Sequence, residues 1–268
     1  MTLLKACCIF ACQISEMKFN TGDALIAHQV IPSKDGSHTP MLYLHGALGT
    51  KEQFTPYIER FAERSQFLMD FPSHGASTTD ANSINTKWLA EQTLKMLDHW
   101  NVEKVDIIGY SLGGYVGLEM AVMQPKRVRS VVSHAMKYYW TPESIASSMN
   151  DLKPEVLKSR SEKAFAALSK MHEPNGLERT MDLSSKLIES FTSYGLDASL
   201  IKSSGAPTLV SVGDRDELVS LPEILKLYQE LGYEASSLAI HPNTRHQFHF
   251  LSPDSFERVI RQFWSKLP

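Results

Sequence analysis

The chain has 268 residues, enough for one large domain or for a domain that carries an insertion. It combines 27 Lys and Arg with 30 Asp and Glu, for a formal net charge of −3, and it has no basic run or basic-aromatic stripe that would indicate a nucleic-acid partner. No uninterrupted apolar stretch is long enough to cross a bilayer, so we expect no membrane span.

Three cysteines, Cys7, Cys8 and Cys12, lie near the start of the chain. They do not form a disulfide framework, and their number suits a reducing compartment, so we expect a cytoplasmic protein. Lys5 and the apolar residues after it faintly resemble a short signal or lipoprotein start; the alternative is an apolar N-terminal arm or first strand. No Cys/His spacing is typical of a structural metal site.

Strand-like and helix-like stretches alternate along the chain. The predicted strands are 41–44, 66–70, 105–108, 128–133, 208–212 and 236–240. The predicted helices include 86–100, 115–122 and 221–231, and residues 52–64 also have helical spacing. This alternation predicts an α/β fold, with a mostly parallel sheet that helices cover on both faces.

The final predicted helix has a clear start signal. Ser252 is a candidate N-cap, Pro253 suits the first helical position, and Asp254 adds an early acid. The residues expected to face inward are Phe256, Val259, Ile260 and Phe263.

Residues 138–205 break the alternation, because they lack convincing strands and contain several helix starts. We therefore predict a core domain of residues 1–137 and 206–268 and a helical cap, or lid, of residues 138–205. The alternative is two ordinary crossover helices with long loops. Five apolar residues could form the inner face of the lid, or could simply hold the insertion together: Met149, Leu152, Phe165, Leu168 and Met171.

Gly109-Tyr110-Ser111-Leu112-Gly113 joins the strand at 105–108 to a helix. Strand, G-x-S-x-G and helix are the parts of a nucleophile elbow, in which a sharp turn exposes the serine hydroxyl at the end of the sheet. The two glycines remove Cβ atoms that would clash in such a turn. Ser111 is therefore the candidate nucleophile, and the alternative is a glycine-rich turn with an incidental serine.

A serine nucleophile needs a base, and a histidine between the last strand and the last helix could reach it. His246 has this position and is preferred; His249 is its competitor, and His241 follows the strand too early. Four other histidines are expected to face solvent: His28, His38, His99 and His172.

The acid that orients the base should lie in the loop after the strand at 208–212. This loop contains Asp214, Asp216 and Glu217, so charge alone does not choose among them. We prefer Asp216, one turn beyond Gly213, and expect Asp214 to hold the turn through hydrogen bonds to the main chain.

Two main-chain N–H groups should stabilise the oxyanion. One is that of Leu112, directly after the nucleophile, and the other is that of Ala47, in the loop His45-Gly46-Ala47-Leu48-Gly49. His45 is expected to form hydrogen bonds within this loop rather than to act as a base.

Several motifs in one order resemble the α/β-hydrolase superfamily. Ser111, Asp216 and His246 follow its order of nucleophile, acid and histidine, and residues 45–49 are similar to its oxyanion loop. Residues 70–77 resemble its D-x-P-G-H-G-x-S loop with Ser73 in place of glycine, and residues 243–246 resemble P-N-x-G-H with Arg245 in place of glycine. Residues 207–216 resemble its P-x-L-x-x-x-G-x-x-D segment, and the likeness extends from about Asp23 to the end of the chain.

The resemblance implies the α/β-hydrolase fold with a helical cap, and an esterase-like serine triad. A small or medium acyl ester is the expected substrate, cleaved through an acyl-enzyme intermediate, and such hydrolysis requires neither a metal nor an organic cofactor. The fold also hosts C–C bond hydrolases, lyases, synthases and hydrolase-like small-molecule receptors, and these alternatives stay open. The sequence does not predict the oligomeric state.

Overall fold

The computed structural model of the chain describes residues 17–33, 36–232, 234 and 236–267. The three cysteines and the N-terminal segment that could be a signal or an arm lie outside these residues. Within the described ranges, no helix has the length and apolar character that a bilayer crossing requires.

A nine-stranded sheet lies at the centre of the part of the chain that the structure describes. Its strands are β1 (Met17–Asn20), β2 (Ala24–Ile31), β3 (Met41–Leu44), β4 (Gln66–Met69), β5 (Thr78–Thr79), β6 (Val105–Tyr110), β7 (Val128–His134), β8 (Thr208–Gly213) and β9 (Ser236–His241). The order is β1-β2-β4-β3-β6-β7-β8-β9, with β5 paired to β2. All neighbours from β4 to β9 are parallel, so the predicted mostly parallel sheet is confirmed.

The edge formed by β1, β2 and β5 is antiparallel. These segments are not among the predicted strands, although β2 begins with the apolar run Ala24-Leu25-Ile26-Ala27. These antiparallel strands join the parallel part of the sheet through β2, which pairs with β4 in the register His28↔Met69.

Alternate residues of the central strands face opposite sides of the sheet. Ile107 belongs to an apolar cluster shared with α1 (Thr86–His99), α2 (Leu112–Met123) and α8 (Leu221–Leu231). Its neighbour Ile108 belongs to a second cluster, shared with α9 (Pro253–Trp264). Helices therefore cover both faces, as predicted.

The predicted helix at 52–64 is instead two short 3-10 segments, Lys51–Tyr57 and Glu59–Phe61. Pro56 lies inside the first segment and has no N–H to donate, which disfavours a continuous α-helix there. Phe54, Tyr57 and Phe61 are nevertheless buried.

The last helix begins as predicted. The Ser252 side chain accepts a hydrogen bond from the Ser255 N–H, and Pro253 occupies the first turn. Three of the predicted inward residues are fully buried and Val259 is partly buried against them; the three are Phe256, Ile260 and Phe263.

Five helices lie between β7 and β8. They are α3 (Pro142–Asp151), α4 (Pro154–Arg160), α5 (Glu162–Met171), α6 (Leu177–Ser190) and α7 (Ala198–Ser204). Helix α6 buries one full face, whereas α4 and α5 contain no buried residue. Helix α7 also buries Ile201 in the core, so the insertion is anchored through α6 and α7.

Two of the four histidines expected to face solvent do so, His38 and His99. The expectation is wrong for His28 and His172, which are 2% and 0% exposed. The His28 Nδ1 accepts a hydrogen bond from the Trp100 indole N–H at 3.1 Å, so the ring is held in its neutral form.

Buried neutral histidines should make stability depend on pH. Burial lowers the pKa of His28 and of His241 to about 4, and that of His45 to about 3. The unfolded chain takes up the same protons near the ordinary value of about 6.5, so it binds more protons than the folded state between these values. The free energy of unfolding should therefore fall as the pH is lowered from about 6.5 to about 4, by on the order of 1 kcal/mol per histidine per pH unit.

Urea unfolding at several pH values measures this slope, and His28→Asn isolates one contribution. The Asn Oδ1 can still accept from the Trp100 indole, so the variant removes the titration and keeps the hydrogen bond. It should have a smaller pH slope than the parent, whereas His38→Asn, at an exposed position, should have the parent's slope. Equal slopes for the parent and His28→Asn would contradict the prediction.

Candidate active site

Ser111 lies in the turn between β6 and α2, with φ of 50° and ψ of −114°. A positive φ is uncommon outside glycine and costs about 1–3 kcal/mol, so the surrounding structure must hold it. The Ser111 N–H donates to the His134 carbonyl at 2.8 Å, which anchors the turn on β7. This is the strained strand–turn–helix geometry expected of a nucleophile elbow.

Two glycines make the turn sterically possible. A Cβ on Gly109 would lie 2.4 Å from the main chain of Gly113, and a Cβ on Gly113 would lie 1.9 Å from the Leu44 carbonyl oxygen. Optimal contacts between carbon atoms are about 3.5–4.0 Å, so neither position can hold a methyl group without movement of the main chain.

Asp216 and His246 are in direct contact. The His246 Nδ1 lies 3.1 and 3.0 Å from the two Asp216 carboxylate oxygens. The Asp216 side chain is fully buried, and its Oδ1 also accepts from the N–H groups of Leu218 and Val219 at 2.9 and 2.8 Å. An ionised carboxylate only accepts, so the hydrogen lies on Nδ1 and the Nε2 of the neutral ring is left as an acceptor.

The other two carboxylates of this loop have different contacts. Asp214 is exposed, and its Oδ1 accepts from the Thr244 N–H at 3.2 Å, so its bond to the main chain joins the loop after β9 and does not hold its own turn. The Glu217 carboxylate accepts from the main-chain N–H of His246 at 3.2 Å. Glu217 therefore holds the main chain of the histidine, while Asp216 holds its ring.

The two alternative histidines do not reach the candidate nucleophile. His249 is exposed, with its ring beside that of Phe250. His241 is buried, and its Nδ1 lies 3.4 Å from the Ser255 hydroxyl on α9. Neither residue lines the cavity that contains Ser111 and His246.

The two predicted oxyanion donors line this cavity as well. Ala47 and Leu112 both contribute to its wall. Among the described residues, neither of their N–H groups has a hydrogen-bond partner. Two free N–H groups beside a serine hydroxyl can stabilise negative charge on a substrate oxygen.

His45 orients the peptide that carries the Ala47 N–H. Its Nε2 accepts from the Phe71 N–H at 2.9 Å, so the hydrogen of the neutral ring lies on Nδ1 and is donated to the Gly46 carbonyl at 2.8 Å. The Gly46 carbonyl and the Ala47 N–H belong to one planar peptide unit, so fixing one fixes the other. His45 therefore forms the expected bond within the loop, and a second one to the next loop.

A buried ion pair joins the oxyanion loop region to the loop at 70–77. The Asp70 carboxylate accepts from the Lys51 N–H at 2.8 Å, from the Lys51 ammonium at 2.9 Å and from the Ala76 N–H at 3.1 Å. Both side chains are nearly inaccessible to solvent. Removing one partner of such a pair leaves an uncompensated buried charge, so these two loops depend on each other.

The two departures from the family's motifs place no side chain in the cavity. Ser73 replaces glycine at a φ of 70°, where glycine is less strained, and its buried hydroxyl has no partner among the described residues. Arg245 is exposed, with its guanidinium 5.9 Å from the centre of the Phe250 ring.

The cavity over Ser111 has a volume of about 310 Å³. Most of its wall is apolar, from Leu112, Tyr115, Trp140, Leu152, Leu187, Ile188, Phe191 and Leu218. Polar groups also reach it, from Lys137, Ser148, Asp151, Ser184 and Gln247. A small or medium organic molecule with a largely apolar part would fit this space.

Of the five residues predicted as an inner face of the insertion, Leu152 lines the cavity. The other four do not: Met149, Phe165 and Leu168 are half-buried, and Met171 is exposed. Helix α6 contributes Ser184, Leu187 and Ile188 to the wall, and α3 contributes Ser148 and Asp151.

Several cavity residues are not among those predicted from the sequence. The Tyr110 hydroxyl donates to the His246 carbonyl at 3.0 Å and so holds the main chain of the candidate base. Tyr110 directly precedes Ser111, and Tyr115 lies one turn into α2. These positions in the sequence could have identified both residues as part of the cavity. Nothing in the local sequence of α6 indicates which of its apolar residues face the cavity.

Residues 39–162 match a protein family described as having the alpha/beta hydrolase fold. A thermophilic esterase from Thermogutta terrifontis, solved with malate bound, has a TM-score of 0.74 and 16% identity, covering 94% of this chain and 97% of that one. An α/β hydrolase from a Medee basin deep-sea metagenome has a TM-score of 0.79 and 16% identity, covering 94% and 98%.

A Cyberlindnera fabianii protein named "Probable alcohol acetyltransferase" is 28% identical over 129 residues, which are 44% of this chain and 35% of that protein. Two further curated relatives match over 28% and 40% of their own length. The chain thus matches well under two thirds of each of these relatives. Taken together, the family match and the two solved structures show that the chain has the α/β-hydrolase fold.

Proposed function

We propose that the protein is a serine hydrolase that cleaves a small or medium acyl ester of a carboxylic acid through an acyl-enzyme intermediate. One observation carries the proposal. Ser111, on a strained elbow, shares a cavity with His246, whose Nδ1 is held by the buried carboxylate of Asp216. Nucleophile, base and orienting acid are the three groups that acyl transfer requires.

In the first step, the Ser111 Oγ attacks the ester carbonyl carbon while the His246 Nε2 takes the hydroxyl proton. The carbonyl oxygen becomes an oxyanion, which the N–H groups of Ala47 and Leu112 stabilise. The imidazolium then gives its proton to the leaving alcohol as the ester C–O bond breaks. Asp216 stays ionised and stabilises the imidazolium.

In the second step, water attacks the acyl-enzyme and His246 takes a proton from it. A second oxyanion forms at the same two N–H groups, and its collapse breaks the bond to the Ser111 Oγ, which recovers its proton from His246. A carboxylic acid leaves, and the resting state returns. The cycle needs no group beyond these side chains, the two N–H groups and water.

Residues 138–205 are a lid in this proposal. Leu187 and Ile188 of α6, together with Phe191 just after it, face the cavity that contains Ser111. Helices α4 and α5 lack buried residues and form the loosely packed outer part. The acyl group is therefore enclosed between α6 and the elbow.

Acyl transfer to an alcohol is the second candidate, since three curated relatives carry the name "Probable alcohol acetyltransferase". The acyl-enzyme would be the same, with an alcohol in place of water. C–C bond cleavage, a lyase or synthase reaction, or ligand sensing would use the same residues. Turnover of p-nitrophenyl esters, with and without an added alcohol, separates these activities by the products formed.

Replacing Ser111 with Ala tests the nucleophile. The variant should lose labelling by a fluorophosphonate and should lower p-nitrophenyl acetate turnover by about 10⁴-fold or more, because no covalent intermediate can form. Mass spectrometry of the labelled parent should place the adduct on Ser111. An adduct on another serine, or labelling of Ser111→Ala at the parent's rate, would refute the proposal.

Asp216→Asn and Asp214→Asn form a matched pair for the acid. Asp216→Asn should lower kcat by about 10⁴-fold, because the amide favours the wrong tautomer of His246. Asp214→Asn should leave kcat near that of the parent, because Asp214 contacts the Thr244 N–H and not the histidine. The reverse order of effects would show that the acid is misassigned.

Leu187→Ala tests the acyl wall. Enlarging the cavity should raise the preference for longer acyl chains over acetate by about tenfold in kcat/KM, since one methylene in an apolar pocket is worth about 1–3 kcal/mol. Leu168→Ala is the control, because Leu168 lies in the insertion but does not line the cavity. A series of p-nitrophenyl esters measures the change, and an unchanged preference in Leu187→Ala would contradict the placement.

A further inference from the structure

His172 follows directly after α5 and is completely buried, although its neighbour Met171 is exposed. Its ring joins three parts of the molecule. The Nδ1 accepts from the Gly75 N–H at 2.8 Å, and the Nε2 lies 3.2 Å from the Leu48 carbonyl oxygen. The insertion, the loop at 70–77 and the oxyanion loop therefore meet at one imidazole.

The partners of the ring fix its tautomer. A main-chain N–H can only donate, so the Nδ1 that faces Gly75 carries no hydrogen. In the neutral ring the hydrogen then lies on Nε2 and is donated to the Leu48 carbonyl. Burial, which lowers the pKa of His172, supports the neutral form.

The Leu48 carbonyl lies one residue beyond the proposed oxyanion donor. Leu48 has a φ of 54°, a conformation that a leucine adopts only when its surroundings hold it. His45 contacts the Gly46 carbonyl and so holds the peptide unit between Gly46 and Ala47. His172 contacts the Leu48 carbonyl and so holds the peptide unit between Leu48 and Gly49. The two imidazoles thus bracket the Ala47 N–H from both sides.

The insertion has other anchors, and two of them reach the loop at 70–77. The Thr180 hydroxyl donates to the Ser73 carbonyl at 2.6 Å, and the Asn175 amide donates to the Ser77 carbonyl at 2.5 Å. Among the hydrogen bonds of the described residues, the one from His172 to Leu48 is the link between the insertion and the oxyanion loop.

We propose that His172 is a positioning residue for the reaction, which lets the insertion hold the Ala47 N–H in the orientation that the oxyanion requires. The inference rests on the proposed function, because it takes Ala47 as an oxyanion donor. It gives the insertion a role in the chemical step besides that of enclosing the acyl group. A misplaced oxyanion donor weakens transition-state binding while ground-state binding is kept, so the effect falls on kcat.

His172→Asn and His172→Gln separate the two bonds of the ring. The Asn side-chain oxygen can occupy the place of Nδ1 and accept from Gly75, but the side chain does not extend to Leu48. The Gln amide can occupy the place of Nε2 and donate to Leu48, but it lacks the acceptor near Gly75. Each variant loses one hydrogen bond, so a purely structural role would give both the same activity.

With p-nitrophenyl acetate, His172→Asn should lower kcat by about 10-fold to 100-fold with KM changed by less than about twofold. His172→Gln should restore most of the lost kcat. Fluorophosphonate labelling of Ser111 should slow in parallel with kcat, since the phosphonyl oxygen needs the same donors. Thr180→Val is the control, because it removes an anchor of the insertion that does not touch the oxyanion loop, and its kcat should equal that of the parent.

Equal kcat for His172→Asn and His172→Gln, at the equal stability that urea unfolding checks, would overturn the proposal. If neither variant folds, the proposal is tested by NMR on the parent protein labelled with ¹⁵N-histidine. Binding of phenylboronic acid to Ser111 should shift the Nε2–H resonance of His172 and leave that of exposed His38 in place, and an unmoved His172 resonance would overturn the proposal. Undiminished turnover by Ser111→Ala would instead refute the proposed function itself, so the two failures are distinguishable.

Discussion

The start of α2 approaches the end of β3 so closely that no side chain fits between them. Gly113, in the first turn of α2, faces the Leu44 carbonyl at a distance where even a methyl group would overlap the oxygen. This contact sets the angle at which α2 leaves the sheet, and the angle in turn holds Ser111 at its positive φ. It also places the start of α2 beside residues 45–49, which follow β3 directly. The candidate nucleophile and both candidate oxyanion donors therefore depend on one steric constraint.

Features set by local chemistry could be predicted from the sequence. The elbow was predictable because a strand, two glycines and a helix leave one sharp turn between them. The start of α9 was predictable because Ser252, Pro253 and Asp254 each favour a different position of a helix N-terminus. The placement of Asp216 beside His246 followed from the rule that loops after parallel strands meet at one edge of the sheet.

Features set by distant contacts could not be predicted. His172 is separated from Leu48 by 124 positions, and nothing near it in sequence distinguishes it from an exposed histidine. The residues of α6 that line the cavity are set by the packing of the insertion on the core. The apolar spacing of α5 predicted instead that Phe165 and Leu168 would line it, and they do not. The antiparallel edge depends on the pairing of β2 with β4, which the sequence of β2 alone does not reveal.

The candidate oxyanion donors are main-chain groups, and every amino acid except proline supplies the same N–H. Single substitutions at Ala47 and Leu112 would therefore report how their side chains fit the cavity wall and not the role of their N–H groups, and the positions that orient these groups would be their neighbours. Gly109 and Gly113 shape the turn. His45 orients the peptide unit that carries the Ala47 N–H, although the His45 side chain does not line the cavity. In this protein, tolerance to substitution is a poor guide to distance from the reacting atoms.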